Sequence, residues 1–430
     1  MNSMFDDRIS DYIDTIAAKY LTAVDADPGT SNQHEVGGLI QAGFGESLGR
    51  PDKRSEFRFR ARQVFISNDQ DEPLIVDDVV TWYDARRKVE HRGPEYRLYY
   101  HDNPVMSCRA AGQFFLIAKL KPGVMVAEES ANISGDLLMI LAPADSAAER
   151  QLRILFGLQH VDERFKPGEL DAGKLMLPLR LMLEDLGIQL HKQQDDDYWL
   201  EQLHLQFGTT HFPQTSAFSQ FARDTLPDEV SPQDDPDHTL LAWMTHEEYL
   251  FRLRERQSVL RQLKQGFGND TEAVDAFIAF SLSVQNRRKS RVGHAFESHL
   301  HHLFIANGVQ VEQGRGAGKV TENNAKPDFL FPSFKAYQDE HYPAHRLTML
   351  GAKTTCKDRW RQVLSEANRI PEKHLVTLEA AISENQTQEM QHHRLQLVVP
   401  KEIALTYSPR QQQWLLNLQQ FIQHVRQKQA

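Results

Sequence analysis

Cysteine is scarce in this chain: Cys108 and Cys356 are the only two, too few and too far apart for a disulfide framework or a zinc site, and in keeping with a reducing compartment. Long apolar runs are missing too. None approaches the roughly 20 residues that a membrane-spanning helix needs. The first residues, MNSMFDDRIS, lack the basic start and apolar stretch of a secretion signal, so the expected location is the cytoplasm. Positive charge is not in excess, and the net charge of −10 at first argues against nucleic acid, whose binders must neutralise phosphates with Lys and Arg. There is no internal repeat and no low-complexity tract.

What is present is ordinary for a globular protein: 430 residues, 40% hydrophobic and 25% charged. That length exceeds what one core usually organises, so two domains are expected. The charge is unevenly spread. Basic residues gather in RSEFRFRAR (54–62), DARRKVEHRGPEYR (84–97), NRRKSR (286–291) and KTTCKDRWR (353–361), and acid in KQQDDD (192–197) and PDEVSPQDDPD (227–237). Local basic surfaces can bind an anion whatever the total; the alternative is solvated faces with scattered counter-charges.

The first half reads as β-rich. EFRFRARQVF alternates at period two, and QFFLIAKL, DLLMILAP and QLRILFGL follow as short apolar runs between turn residues, which predicts a barrel or sandwich. The polar stretch Gln193 to Asp197 marks a hinge, placing the boundary between domains 1–190 and 191–430. Beyond it, HEEYLFRLRERQSVLRQLKQGFG, DTEAVDAFIAFSLSV and GHAFESHLHHLFIANG predict three helices. Strands are expected at DFLFP (328–332), RLTMLGAK (346–353), HLVTL (374–378) and LQLVVP (395–400), with helices from about Asp358 to Ile370 and near 410–426. Helices interleaved with a few strands give an α/β sandwich.

Phosphodiester hydrolysis needs carboxylates to hold divalent cations and a cationic group beside the attacked phosphate. Asp328 opens one strand and Lys353 ends another, so the two can meet at one sheet edge, with Glu366 on the helix that follows. This is the pattern of PD-(D/E)xK nucleases, with one departure: Gly351 stands where a second acid is usual. Glu366, thirteen residues after Lys353, resembles the migrated glutamate of the branch that contains the EcoRII-type and CCGG-cutting enzymes. On the expected helix, Glu366 and Arg359 share a face.

The resemblance extends over SVQNRRKSRVGHAFESHLHHLF, KPDFLFPSFKAYQDE, LTMLGAKTTCKDRWRQVLSEANRI and LQLVVP, which are similar, in the same order and spacing, to segments of EcoRII-type restriction endonucleases. It implies that Asp328 and Glu366 ligate Mg²⁺ and that Lys353 stands beside the attacked phosphate. Glu297 occupies the place of a further acidic residue, or is a surface-helix glutamate. Tyr337 corresponds to a tyrosine near the family's active site, or is a packed tyrosine. Lys357, Asp358 and Arg359 offer the donors and acceptor that adjacent C·G pairs present in the major groove, and related enzymes use that trio to read CC/GG; the alternative is an ordinary helix start.

In the first half, PGTSNQHEVGGLIQAGFGE (28–46) resembles the start of the family's effector domain, a DNA-binding pseudobarrel, with His34 and the Gly37 turn. WYDARRKVEHRGPEYRLY resembles its second recognition arm. There Glu95 and Arg97 take the base-reading places, and Arg86, Lys88 and Arg92 contact phosphates or bases. An aromatic residue expected shortly after Gly37 is absent; Gly38 and Leu39 stand there. GRGAGK (314–319) is too short between its glycines for a Walker loop, and His299 with His302 lacks the further ligands of a zinc site.

The resemblance thus implies a type II (IIE) restriction endonuclease. It would be a homodimer cutting double-stranded DNA at CC(A/T)GG before the first cytosine, autoinhibited until its N-terminal domain binds a second site, and matched by a DNA methyltransferase. The alternative is a DNA-binding repressor or scaffold without hydrolysis.

Overall fold

The computed structural model describes residues 7–26, 34–67, 72–89, 91–125, 132–158, 160–170, 175–190, 196–227, 229–268, 271–356 and 359–430. Its contacts divide the chain into two compact units, Asp6–Leu190 and a second beginning at His191. Most of the expected hinge lies outside the described residues; Asp196 and Asp197 open a helix.

The N-terminal unit is a pseudobarrel built on one curled eight-stranded sheet. Its strands are β1 (Ile13–Tyr20), β2 (Glu35–Val36), β3 (Phe57–Phe65), β4 (Leu74–Asp84), β5 (Tyr96–Tyr99), β6 (Phe114–Leu120), β7 (Asp136–Ala142) and β8 (Lys166–Pro167), in the order β2-β5-β4-β3-β7-β6-β1-β8. Only the β3/β7 pair is parallel. Period-two alternation sends Phe59 and Ala61 into the core with Val80, Trp82, Leu98, Ile117 and Met139. The outward arginines of β3 are tied to acids, Arg60 to Asp136 at 2.6 Å and Arg62 to Asp77 at 2.6 Å. That basic run is therefore largely framework, and it leaves little charge for phosphates.

One expected strand is a helix. QLRILFGL falls mostly in α1 (Ala147–Leu155), because the Ser146 side chain caps it by accepting from the Glu149 N–H at 3.0 Å, and Leu152 and Leu155, three apart, share the buried face. A further nine-residue helix, α2 (Leu177–Asp185), lies near the end of the unit.

The second unit starts with helices α3 (Asp196–Phe207), α4 (Thr215–Asp224), α5 (Pro236–Gln265) and α6 (Thr271–Ala306). Where two helices were expected between 270 and 308, α6 runs unbroken: the polar run NRRKSR contains no breaker. Its arginines turn inward, Arg291 to Glu247 at 2.8 Å and Arg288 to Glu255 at 2.6 Å. Glu247 also binds His299 at 2.9 Å, so that histidine is a buried structural partner rather than a metal ligand.

A five-stranded mixed sheet follows, with strands β9 (Glu312–Gln313), β10 (Phe329–Phe331), β11 (Thr348–Lys353), β12 (Lys373–Thr377) and β13 (Leu395–Val398) in spatial order β13-β12-β11-β10-β9. The β9/β10 and β10/β11 pairs are antiparallel, and β11/β12 and β12/β13 parallel. Helices α7 (Phe334–Gln338), α8 (Trp360–Leu364), α9 (Glu384–His392) and α10 (Leu418–Gln429) alternate with the strands. Phe304 of α6 packs edge-on against Phe329 and Phe331 of β10 and meets Phe421 of α10, closing the sandwich over one sheet face. No helix is long and apolar enough to cross a membrane among the described residues.

Candidate active site

Antiparallel pairing sets Phe329 opposite Leu350, which brings Asp328, just before β10, beside the last residues of β11. Its Oδ2 accepts from the Ala352 N–H at 2.7 Å and from Lys353 Nζ at 2.9 Å. Asp328 and Lys353 therefore meet at the sheet rim, both partly exposed at 17% and 24%, close enough to solvent to meet a ligand.

Gly351 also has a physical reason. A Cβ there would approach a Val363 methyl of α8 to 2.9 Å and Leu375 to 3.4 Å. An acidic side chain at that position has no room, so a second carboxylate must come from another element. Glu366 is the candidate for it, and it stands in a different place than expected. Helix α8 stops at Leu364, and Glu366 lies beyond the capping residue Ser365. Arg359 is the residue before the helix rather than a face-mate of Glu366.

Glu366 Oε2 is buried without a hydrogen-bond partner among the described residues. Burial, and then the charge of Asp328, push its carboxyl up to about 7 against the opposing pull of Lys353 and Lys373. Glu297 is raised as well, by burial first and Asp328 second, while Arg315 holds its Oε2 through two N–H groups at 3.0 and 2.7 Å. Two glutamates thus feel the charge of Asp328, and one of them has an orphan oxygen. The donor set fits a divalent cation held by Asp328 and Glu366, whose charge would relieve that repulsion. No group of three or more His, Cys, Asp or Glu suited to a metal occurs among the described residues. Water and phosphate oxygens would complete the shell, as Mg²⁺ commonly requires.

Tyr337 is buried at 3% exposure and turns to Glu322, its hydroxyl 2.6 and 2.7 Å from the two carboxylate oxygens. Burial and that carboxylate raise the phenol to about 12. Glu322 and Arg369, both overlooked in the sequence, bind around this tyrosine; nothing in their local pattern distinguishes them from surface charges. Of the trio expected to read CC/GG, Lys357 and Asp358 lie outside the described residues, and Arg359 is exposed.

In the first unit, strand geometry gathers another charged set. Glu95 and Arg97, two apart, share a face: Arg97 donates to Glu95 Oε1 at 3.1 and 2.7 Å and to Glu35 Oε2 at 2.8 Å. Arg86 meets Glu95 Oε2 at 2.6 Å. Arg97 first, then Arg86, hold Glu95 below the usual carboxylate range. Arg86 and Glu95 border a cleft of ≈ 680 Å³ lined also by Gly37, Gly38, Arg50 and Arg164. His34 lies 3.3 Å from Asp102, and Lys88 and Arg92 are exposed. Gly38 has φ +85° and Leu39 is fully buried, so neither position suits an exposed aromatic. Glu35 was not anticipated, because only the pairing of β2 with β5 brings it to Arg97.

Taken together, the second unit is an α/β sandwich with Asp328 and Lys353 paired at one sheet rim. Residues 251–422 match the family described as EcoRII C terminal. It is 39% identical over 256 residues, 60% of its own length and 59% of the relative's, to the type II restriction enzyme EcoRII of Escherichia coli. It is 35% identical over 111 residues, 24% of its length and 35% of the relative's, to the type II restriction enzyme SsoII of Shigella sonnei. The chain therefore spans 59% and 35% of the lengths of these two relatives. Among solved structures it is similar to metal-depleted Ecl18kI in complex with uncleaved, modified DNA, with TM-score 0.43 and 20% identity over 56% of this chain and 85% of that one. It is also similar to a PspGI–substrate DNA complex, with TM-score 0.39 and 16% identity over 51% and 93% of the respective chains.

Proposed function

We propose that this protein is a Mg²⁺-dependent type II restriction endonuclease that hydrolyses double-stranded DNA at a short palindrome, CC(A/T)GG, in the cytoplasm. The observation that carries the reading is the rim cluster: Asp328 bonded to Lys353 at 2.9 Å, with the orphaned carboxylate of Glu366 close enough to feel Asp328. Asp328 and Glu366 hold the metal, which when bound supplies positive charge to the scissile phosphate and lowers the pKa of the attacking water. Lys353, fixed by Asp328, places its ammonium where charge develops on the phosphate. Glu297, held by Arg315, adds negative potential to the same rim. A pure binder gains nothing from such a cluster, since unneutralised carboxylates repel the phosphate backbone.

Arg359, with Lys357 and Asp358, reads the C·G pairs, and the first unit binds a second copy of the site through Glu95, Arg97, Arg86, Lys88, Arg92 and His34. A cognate methyltransferase protects the host site. A second copy of the chain supports cutting of both strands. In favour of it, Val274, Phe277, Ile278 and Leu282 of α6 are 48–59% exposed and fall at helical spacing on one stripe, an apolar surface of the kind that marks association. Mapping the ends of digested DNA tests the reading: cuts before the first cytosine of CC(A/T)GG are expected, and ends scattered over unrelated sequences would overturn the assignment.

A further inference from the structure

Glu366 has an unusual dependence on its backbone. Its side chain has a buried oxygen with no hydrogen bond to hold it among the described residues, so its direction toward Asp328 is set by the turn that carries it. That turn is not helical: α8 has ended, and Ala367, fully buried, has φ +51°, a conformation a non-glycine residue adopts only when its surroundings enforce it.

The enforcement is visible in the next three amides. The N–H of Ala367 donates to Thr321 Oγ1 at 3.4 Å, that of Asn368 to Glu322 Oε2 at 3.2 Å, and that of Arg369 to the Tyr337 hydroxyl at 3.2 Å. The acceptors are themselves joined, since the Tyr337 hydroxyl donates to Glu322. The Arg369 guanidinium completes the bracket by donating to the carbonyls of Tyr337, Asp339 and Tyr342, the last two at 3.0 and 2.9 Å. Consecutive amides that would otherwise seek water are thus captured by one anionic cluster.

We propose that Glu322 is a positioning residue for the metal site: with Tyr337 it locks the 366–369 turn, so that the Glu366 carboxylate is aimed at Asp328 before any cation arrives. The inference rests on the nuclease reading above. It assigns Tyr337 to the support of a ligand rather than to contact with the reacting atoms. The general logic is that a ligand held in place from behind loses less freedom on binding.

The test uses the full chain and Mn²⁺ alone as probe, with free Mn²⁺ followed by electron paramagnetic resonance. Glu322→Ala and Tyr337→Phe should each weaken Mn²⁺ binding by about fivefold or more and speed amide exchange at 367–369. The double variant Glu322→Ala/Glu366→Gln should bind no more weakly than Glu366→Gln alone, the non-additivity expected of residues acting through one another. Unchanged Mn²⁺ binding in Glu322→Ala, or losses that multiply in the double variant, would overturn the positioning role while leaving the metal site standing. Binding unaffected by Glu366→Gln would instead remove the metal reading itself, and this inference with it.

Discussion

The two charged clusters of this protein both set acidic against basic side chains, and they solve opposite problems. In the first unit, Arg97 and Arg86 face Glu95 and Glu35, and every charge has a partner; Glu95 is driven down in pKa. At the rim of the second unit, Asp328, Glu366 and Glu297 are met by Lys353 and Arg315, and both glutamates are still driven up. Surplus negative charge with an orphan oxygen calls for a cation. A balanced cluster calls for none, and meets DNA only by exchanging internal ion pairs for contacts with bases and phosphates.

The largest expected effect that sharpens this contrast is at Asp328. Asp328→Ala removes both the partner of Lys353 and one arm of the proposed metal site, and should lower Mg²⁺-dependent cleavage by about a thousandfold or more. Sequence-specific binding in Ca²⁺ should stay detectable by gel shift. Cleavage at the native rate would take Asp328 out of the chemistry.

Next comes the pH dependence of stability in metal-free protein. Glu366 sits at about 7 in the fold against an ordinary 4.5, so the folded state holds this proton more tightly than the unfolded chain does. Its contribution is full below about 4.5 and is lost as the pH rises through 7. Urea denaturation in EDTA should therefore show lower stability at pH 8 than at pH 5, and Glu366→Gln should flatten that slope. An equal slope in both proteins would mean that Glu366 is not the strained group.

Smaller effects belong to the first unit. Arg97→Ala removes the cation that Glu35 and Glu95 share, leaving Glu95 to Arg86 and Glu35 to the Tyr83 hydroxyl, and should cost roughly 1–3 kcal/mol of discrimination at one base pair of the second-site DNA. Lys88→Ala, which changes an exposed cation, should weaken binding evenly across sequences and reduce the salt slope by about one ion. Equal behaviour of the two variants would break the distinction between a base-reading pair and a phosphate contact.

The contrast also shows what could be read without coordinates. Asp328 and Lys353 were legible through the resemblance and because one opens a short apolar strand and the other closes one, and a sheet brings such strand termini together. Gly351 in place of an acid was legible as a departure, but its cause, the methyls of Val363, belongs to packing between elements. The position of Glu366 was misjudged because helix periodicity continues past Leu364 with no Gly or Pro to stop it. What ends the helix is a tertiary bracket formed by Thr321, Glu322 and Tyr337, more than twenty residues upstream in the chain. Likewise QLRILFGL reads as a strand by composition and becomes helical through the cap at Ser146. Glu95 and Arg97 could be singled out through the resemblance to a recognition arm, whereas Glu35 reaches them only through a two-residue strand.

The most direct test of the central claim is a digest of linear duplex DNA bearing known CC(A/T)GG copies by the full chain, in Mg²⁺ and in EDTA. The account predicts discrete fragments in Mg²⁺ and intact substrate in EDTA. Equal cutting in both would contradict it, because the carboxylate pair would then have no cation to hold.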